Sequence, residues 1–289
     1  MRDPHIVEND TKLLEFLFAR HPDAKRTTVR QWLKHGSVQV NGETETRTNH
    51  LLEAGDAVVI RDKAEVLAED GLPAGMKIRF ADDSLIVVDK PEHLLSVASS
   101  KERKETAYAH LMAYLRRREP RSKERVWIVH RLDREASGIM VFAKTEATKR
   151  ALQKNWNKAN KRYLAVVEGA PPSSKGILRS NLDESSSYKV YSAIQSERTR
   201  LAVTHYRVIK RNQARALVEL TLETGRRNQI RVHLADAECP IVGDRKYGAR
   251  TNPARRLGLH ASSLQFHHPT TGKLLKLESP LPKALARLV

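Results

Sequence analysis

The sequence predicts an α+β fold divided between a small N-terminal module and a larger sheet-based domain. Three observations carry this. The first sixty residues pass from helical apolar spacing to a period of two. Residues 62–75 then lose periodicity, with Gly71, Pro73 and Gly75 set among charges, as a linker does. Further on, residues 201–210 and 216–222 alternate apolar and polar positions in the manner of antiparallel strands.

In the N-terminal module, Leu13, Leu14, Phe16, Leu17 and Phe18 form an apolar cluster at helical spacing. A second helix is expected over residues 28–35, capped by Thr27 or Thr28 and ended by Gly36. Val29, Trp32 and Leu33 mark its inner face. Arg26, Arg30 and Lys34 are four apart and share the opposite face. Val38 and Val40 then alternate with polar residues, and Asn41-Gly42 is a hairpin signal. Gly55-Asp56 marks a second turn before a strand with Val58 and Ile60.

The 289 residues include 52 Lys/Arg against 34 Asp/Glu, a formal net charge of +18. That exceeds what solubility needs and argues for a polyanionic partner, nucleic acid first. The charge is uneven. Residues 1–62 hold 9 Lys/Arg and 10 Asp/Glu, a net of −1, so the remainder carries +19. Aromatic content of 5% is low for base-stacking platforms. The single cysteine, Cys239, excludes an intramolecular disulfide and a cysteine zinc cluster, and fits a reducing cytoplasm. Neither a secretory leader nor a membrane-length apolar stretch is read, so no membrane partner is expected. No phosphate loop or dinucleotide fingerprint is present, so no cofactor is expected. His267 and His268 lack a third ligand at metal spacing, so no metal is expected either.

The chain centres on residues 130–145, His-Arg-Leu-Asp-Arg-Glu-Ala-Ser-Gly-Ile-Met-Val-Phe-Ala-Lys-Thr. A charged turn around Asp133 precedes Gly138 and a short apolar run suited to a buried strand. Spacing alone allows a surface ion pair of Arg131 or Arg134 with Asp133, which is worth little. Before this stretch, residues 85–88 read as a buried strand closed by Pro91. Tyr108, Leu111, Met112 and Leu115 recur at helical spacing as core. Arg116, Arg117, Arg118, Arg121, Lys123 and Arg125 follow, as a solvated face or as phosphate contacts. After the central stretch, residues 146–160 read as helix, with Ala151, Leu152 and Trp156 inward. Residues 161–169 read as a strand containing Tyr163, and residues 171–191, rich in Ser and Lys, as an excursion from the core. Residues 228–234 fit helix and strand equally well. A last strand pair is expected around the turn at residues 269–272.

His-Arg-Leu-Asp followed by Ser-Gly and a strand ending Ala-Lys-Thr resembles the central motif of the RluA family of pseudouridine synthases. The family's catalytic aspartate falls on Asp133, and Ala136 stands where the family usually has Thr. Lys161-Arg162-Tyr163 resembles the family's Lys-x-Tyr strand, which implies that Tyr163 lies in the active site. Residues 222–234 resemble the third motif, a helix whose arginine pairs with the aspartate; that arginine is Arg231, and Asn228 replaces a common His. "Val-Val-Asp-Lys-Pro" resembles the first motif, with Glu92-His93 in place of the glycine-containing continuation. Residues 240–248 and 259–261 continue the family pattern. Residues 13–61 resemble the alpha-L RNA-binding module.

These resemblances imply an alpha-L module over residues 10–62, a linker over 63–76 and a catalytic domain over 77–289. They imply a long mixed, mostly antiparallel sheet with flanking helices. They also imply isomerisation of uridine to pseudouridine in ribosomal or transfer RNA by a monomer. A uridine in folded RNA must be extruded to reach such a pocket, and Arg131 is the family's candidate for filling the vacated place. Asp133 as nucleophile or as base, and Tyr163 as base or as stacking surface, stay open. Arg26, Arg30, Lys34, Arg116, Arg117 and Arg118 are the further candidate RNA contacts. A non-catalytic RNA-binding protein and a base-releasing hydrolase are the alternatives, separable by product: none, or free uracil.

Overall fold

The computed structural model describes residues 4–34, 37–45, 47–61, 72–73, 75–98, 102–118, 124–186 and 188–289. The chain forms two compact units, residues 1–72 with 80–82, and residues 73–79 with 83–289. Most of the expected linker, together with Gly36, Arg121 and Lys123, lies outside the described residues.

In the smaller unit, helix Leu13–Arg20 and helix Arg26–Lys34 pack over short strands. Leu13, Phe16, Leu17, Val29, Leu33, Val38, Val40, Val58 and Ile60 form one buried cluster, with Trp32 and Phe18 packed at its margin. The second helix begins earlier than expected. Thr27 and Thr28 therefore lie inside its first turn and do not cap it; the Val29 N–H already bonds to the Lys25 carbonyl at 3.2 Å. Strand Val38–Val40 pairs antiparallel with Glu43–Thr44 across Asn41-Gly42. Both turn residues take positive φ, +52° and +87°, as this two-residue turn requires. Asn41 then ties the turn to the neighbouring strand, accepting from the Ala57 N–H at 2.9 Å and donating to Asp56 at 2.7 Å. A strand at His5–Ile6, unexpected from its sequence, pairs with Ala57–Ile60.

The larger unit is built on a long sheet. Its strands run in the order Tyr191–Ala193, Lys175–Asp183, Thr199–Arg211, Arg215–Leu222, Asn160–Glu168, Leu259–His267, Ser137–Ala143, Leu85–Lys90 and Lys77–Ala81. Leu274–Glu278 adds to Leu259–His267, and Trp127–Ile128 adds to Ser137–Ala143. Among the strand pairs whose register is described, all are antiparallel except Ser137–Ala143 against Leu259–His267. The fold is thus α+β with a mixed, mostly antiparallel sheet. Helix Gln229–Asp236 settles the helix-or-strand ambiguity. Its Ile230 and Leu234 pack on Ala165, Val167, Val218 and Leu220 of the sheet.

Three expectations are corrected. Residues 171–191 are not an excursion, because Lys175–Asp183 pairs along its whole length with Thr199–Arg211. Its apolar residues do not alternate, Ile177 being exposed while the adjacent Leu178 packs against the core, so backbone pairing holds a strand that has little hydrophobic alternation to announce it. In helix Ala107–Arg118 the deeply buried residues are Ala107, Leu111, Tyr114 and Leu115, whereas Tyr108 and Met112 are only half-buried. Residues 146–160 are not one helix. Helix Glu146–Lys154, capped by Thr145 Oγ1 accepting from the Thr148 N–H at 3.1 Å, gives way to a 3-10 turn at Trp156–Lys158 and a strand from Asn160.

Candidate active site

Residues 130–136 form the loop that leads into strand Ser137–Ala143, and its backbone is held from several sides. The Leu132 N–H donates to Ser96 Oγ at 3.0 Å, and that hydroxyl donates back to the Leu132 carbonyl at 2.7 Å. Lys90, 1% exposed at the end of strand Leu85–Lys90, donates to the carbonyls of Pro91 (2.7 Å), Leu94 (2.8 Å) and Arg134 (3.3 Å). Burial pulls its ammonium down to about 7, against the opposing pull of Asp133, Glu135 and Glu92. Arg256 donates to Ser137 Oγ at 2.5 Å and to Glu92 at 2.7 Å. Gly138 is required at its place. Its φ is +116°, and a Cβ there would stand 2.3 Å from the Ala261 carbonyl oxygen across the parallel pair. His93, where the family's glycine-containing continuation is replaced, adopts φ +63°, and its carbonyl accepts from Arg134 at 3.3 Å.

His130 opens the loop and is structural in character. Its Nε2 accepts from the Val141 N–H at 3.0 Å, and its ring stacks on Trp156 at 4.6 Å. Burial, with Lys161 adding to it, lowers its pKa to about 3, so the imidazole is neutral with its proton on Nδ1.

Asp133 sits at the wall of a cavity of about 80 Å³ that Arg131, Tyr163, Arg226, Asn228 and Arg231 also line. Arg231 comes from helix Gln229–Asp236, whose start is fixed by Gln229. That side chain donates to the Val203 carbonyl and Thr204, and accepts from Thr224 and the Arg226 N–H. The Arg231 guanidinium forks onto Asp244, with Nε and Nη2 at 2.7 and 2.8 Å from its two oxygens. Only Nη1 is turned to Asp133, at 3.4 Å, with Glu135 at 3.7 Å. The main partner of Arg231 is therefore Asp244, and Asp133 is the secondary one.

The second group facing Asp133 is Asn228, held in the left-handed region at φ +53°. With its amide oriented by the surrounding donors and acceptors, its nitrogen donates to the two Asp133 oxygens at 2.9 and 3.2 Å. Its oxygen accepts from Tyr247 Oη at 3.0 Å. The Tyr247 ring also lies 5.0 Å from the Arg231 guanidinium carbon. Burial raises the Asp133 carboxyl above its ordinary range; Arg231 pulls it back, and Glu135 adds to the rise. Arg231 itself is held well above its ordinary value. Burial alone would lower it, and the bonds and charge of Asp244 more than reverse that. Tyr163, on strand Asn160–Glu168, has its phenol pushed up by burial and then by the charge of Asp133, so it is protonated at neutral pH.

The structure thus brings Asp133, Tyr163, Arg231 and Arg131 to one cavity. The remaining basic residues stand elsewhere. Arg116, Arg117 and Arg118 form the last turn of helix Ala107–Arg118, where cations suit the helix dipole. Arg118 also donates to Tyr114 Oη at 3.1 Å. In the smaller unit, Arg26 stacks over Phe18 at 5.2 Å and Arg30 is exposed. The side chain of Lys34 lies outside the described set. Sequence reasoning assigned no role to Asp244, Tyr247 or Lys90. The signal for the first two was the phrase Asp244-Arg245-Lys246-Tyr247-Gly248, in which a carboxylate and a phenol share one short turn.

A family model described as RNA pseudouridylate synthase matches residues 84–236, and one described as S4 domain matches residues 11–58. An uncharacterized RNA pseudouridine synthase of Bacillus subtilis is 33% identical over 290 residues, covering 98% of this chain and 94% of that protein. Ribosomal large subunit pseudouridine synthase D of Xanthomonas campestris is 33% identical, covering 93% of this chain and 85% of that one. The solved structure of human RNA pseudouridylate synthase domain containing 4 superposes with a TM-score of 0.62 at 26% identity, over 72% of this chain and 90% of that one. Sheet, motif loop and relatives agree: the chain belongs to the RNA pseudouridylate synthase family, carries an S4-type RNA-binding domain, and is an enzyme that isomerises uridine in RNA to pseudouridine.

Proposed function

We propose that Asp133 performs this isomerisation on a uridine extruded from folded RNA, and that the RNA is ribosomal. The observation that carries the first part is the Asp133 carboxylate, with donors from Asn228 and Arg231 on its flanks and a cavity in front of it. The reaction breaks the bond from ribose carbon 1 to N1 of the base and forms one from the same carbon to carbon 5. Carbon 5 loses a proton and N1 gains one, so nothing is oxidised and no group donor is consumed. One carboxylate suffices, as nucleophile to the sugar or as base, provided it is ionised. Arg231 and Asn228 support the ionised form against burial. Tyr163, being protonated, serves as a ring surface and hydroxyl donor in this reading, and not as a phenolate base.

Arg131 is exposed beside Asp133, two residues before it, and is free to occupy the place that the uridine leaves. The ribosomal assignment follows the name of the Xanthomonas relative, a ribosomal large subunit pseudouridine synthase, with transfer RNA as the second reading. The S4-type module would add affinity through Arg26, Arg30 and Lys34. The test is Asp133→Asn, with pseudouridine formation and RNA binding measured in parallel. The variant should bind as well as the parent and form no product. Product from Asp133→Asn would overturn the assignment. Mapping pseudouridine in ribosomal and transfer RNA of a deletion strain identifies the RNA.

A further inference from the structure

Next to the Asp133 cavity lies a larger one of about 520 Å³. Arg131, Tyr163, Leu222 and Arg226 line both, so the two share a wall. The larger one adds His130, Trp156 and Lys161 on one side, and Glu223 to Gly225 on the other. Its charge is positive. Arg131, Lys161 and Arg226 face one carboxylate, Glu223, and that carboxylate is exposed and engaged with His205 at 3.1 Å.

Lys161 is the unusual member. Its side chain is half-buried at the start of strand Asn160–Glu168. Among the described residues its ammonium makes one hydrogen bond, to the Trp156 carbonyl at 2.9 Å, and no ion pair. An ammonium has three donors, so two remain for a ligand. No carboxylate offsets its burial, and its pKa is lowered by desolvation. His130, whose pKa the charge of Lys161 helps to lower, is neutral. A half-buried cation without an anion costs folding free energy, which a bound anion would offset.

We propose that this second cavity holds the nucleotide next to the target uridine in the RNA strand, with Lys161 pairing its phosphate and Arg226 and Arg131 flanking the connection to the Asp133 cavity. The proposal rests on the reading that the uridine itself sits at Asp133. A strand passing from one cavity to the other must cross the wall they share, where both guanidiniums stand. A phosphate there meets the cations of that wall, while Trp156 lines the cavity on the side of the neighbouring base. The site would therefore recognise RNA backbone beside the reacting nucleotide and would favour a strand locally unpaired over at least two nucleotides.

The test uses equilibrium binding, so that it stands apart from whether Asp133 does the chemistry. The probe is a single-stranded RNA with one uridine in a run of cytidines, its linkages replaced one at a time by uncharged methylphosphonate. With the full-length protein, one linkage adjoining the uridine should weaken binding by roughly tenfold when neutralised. Lys161→Met should weaken binding of the unmodified RNA by a similar factor and flatten the salt dependence of log affinity by about 0.7, the value for one phosphate on a single strand. In that variant the same linkage should become silent. Lys161→Arg should keep both the affinity and the linkage effect, which a purely structural lysine would not predict. If Lys161→Met fails to fold, the linkage scan on the unaltered protein and on Lys161→Arg still decides. No sensitive linkage beside the uridine, or an unchanged salt slope and linkage pattern in a folded Lys161→Met, overturns the proposal.

Discussion

Removing the Arg231 charge should move the acidic limb of the activity profile upward, and the structure says by how much. Arg231 Nη1 lies 3.4 Å from Asp133. Two unit charges at that distance interact by about 1 kcal/mol in a water-like medium and about 5 kcal/mol at an effective dielectric of 20. At 1.36 kcal/mol per unit, this corresponds to roughly one to three and a half pKa units. The lower half of that range applies, because Arg231 spends most of its charge on Asp244. In the proposed reaction Asp133 must be ionised, and burial already raises its pKa. Without Arg231 the pKa rises further, so kcat/KM should begin to fall with decreasing pH about one to two units earlier.

Arg231→Met alone confounds this with stability. It leaves Asp244, whose side chain is 1% exposed, buried without its cation, at a cost of roughly 3–5 kcal/mol. The double variant Arg231→Met/Asp244→Leu removes both charges, and replacing a buried pair together is often close to neutral. The two variants should differ in thermal stability and agree in the shifted limb. The assay is pseudouridine formation against pH, with melting temperature measured alongside. A folded double variant that keeps the parental acidic limb would refute the role given to Arg231.

Three other outcomes follow from the same geometry. Because the folded pKa of Asp133 is raised, the group disfavours the folded state once pH exceeds its unfolded value, and increasingly as pH rises through the folded one. Asp133→Asn should therefore raise the melting temperature at neutral pH, and the gain should vanish at pH below the ordinary aspartate value, as thermal scans across pH will tell. Tyr163→Phe should keep the parental pH profile up to the ordinary tyrosine value of 10.0, because burial and Asp133 hold the phenol protonated throughout. A limb below that pH present in the parent and lost in Tyr163→Phe would contradict this. Gly138→Ala should destabilise the larger unit by roughly 1–3 kcal/mol or more, since its Cβ meets the Ala261 carbonyl oxygen at 2.3 Å; denaturant unfolding measures it.

Much of this molecule was legible in the sequence, for local reasons. The helices at Leu13–Arg20 and Ala107–Arg118, the Asn41-Gly42 hairpin, and the strands at Thr199–Arg211 and Arg215–Leu222 follow from side-chain period and turn chemistry, which are properties of a few neighbouring residues. The motif wording pointed to Asp133, Tyr163 and Arg231 although 98 positions separate the first from the last. The strand Lys175–Asp183 was hidden, because its apolar residues do not alternate and its pairing is a backbone matter. The helical state of residues 229–236 needed more than pattern, since both periods suited it.

Tertiary structure alone decided what each charge faces. Nothing in the spacing of Asp244 and Arg231 shows that the fork of Arg231 closes on Asp244 and leaves one nitrogen for Asp133. The same holds for Asn228, which replaces a common His and yet donates to both oxygens of Asp133, and for Lys161, left half-buried with a carbonyl for its partner. Hydrophobic periodicity specifies which face of an element turns inward. The direction of a guanidinium, and the dielectric around a carboxylate, depend on which distant segments fold against them, and only the assembled sheet with its helix supplies those.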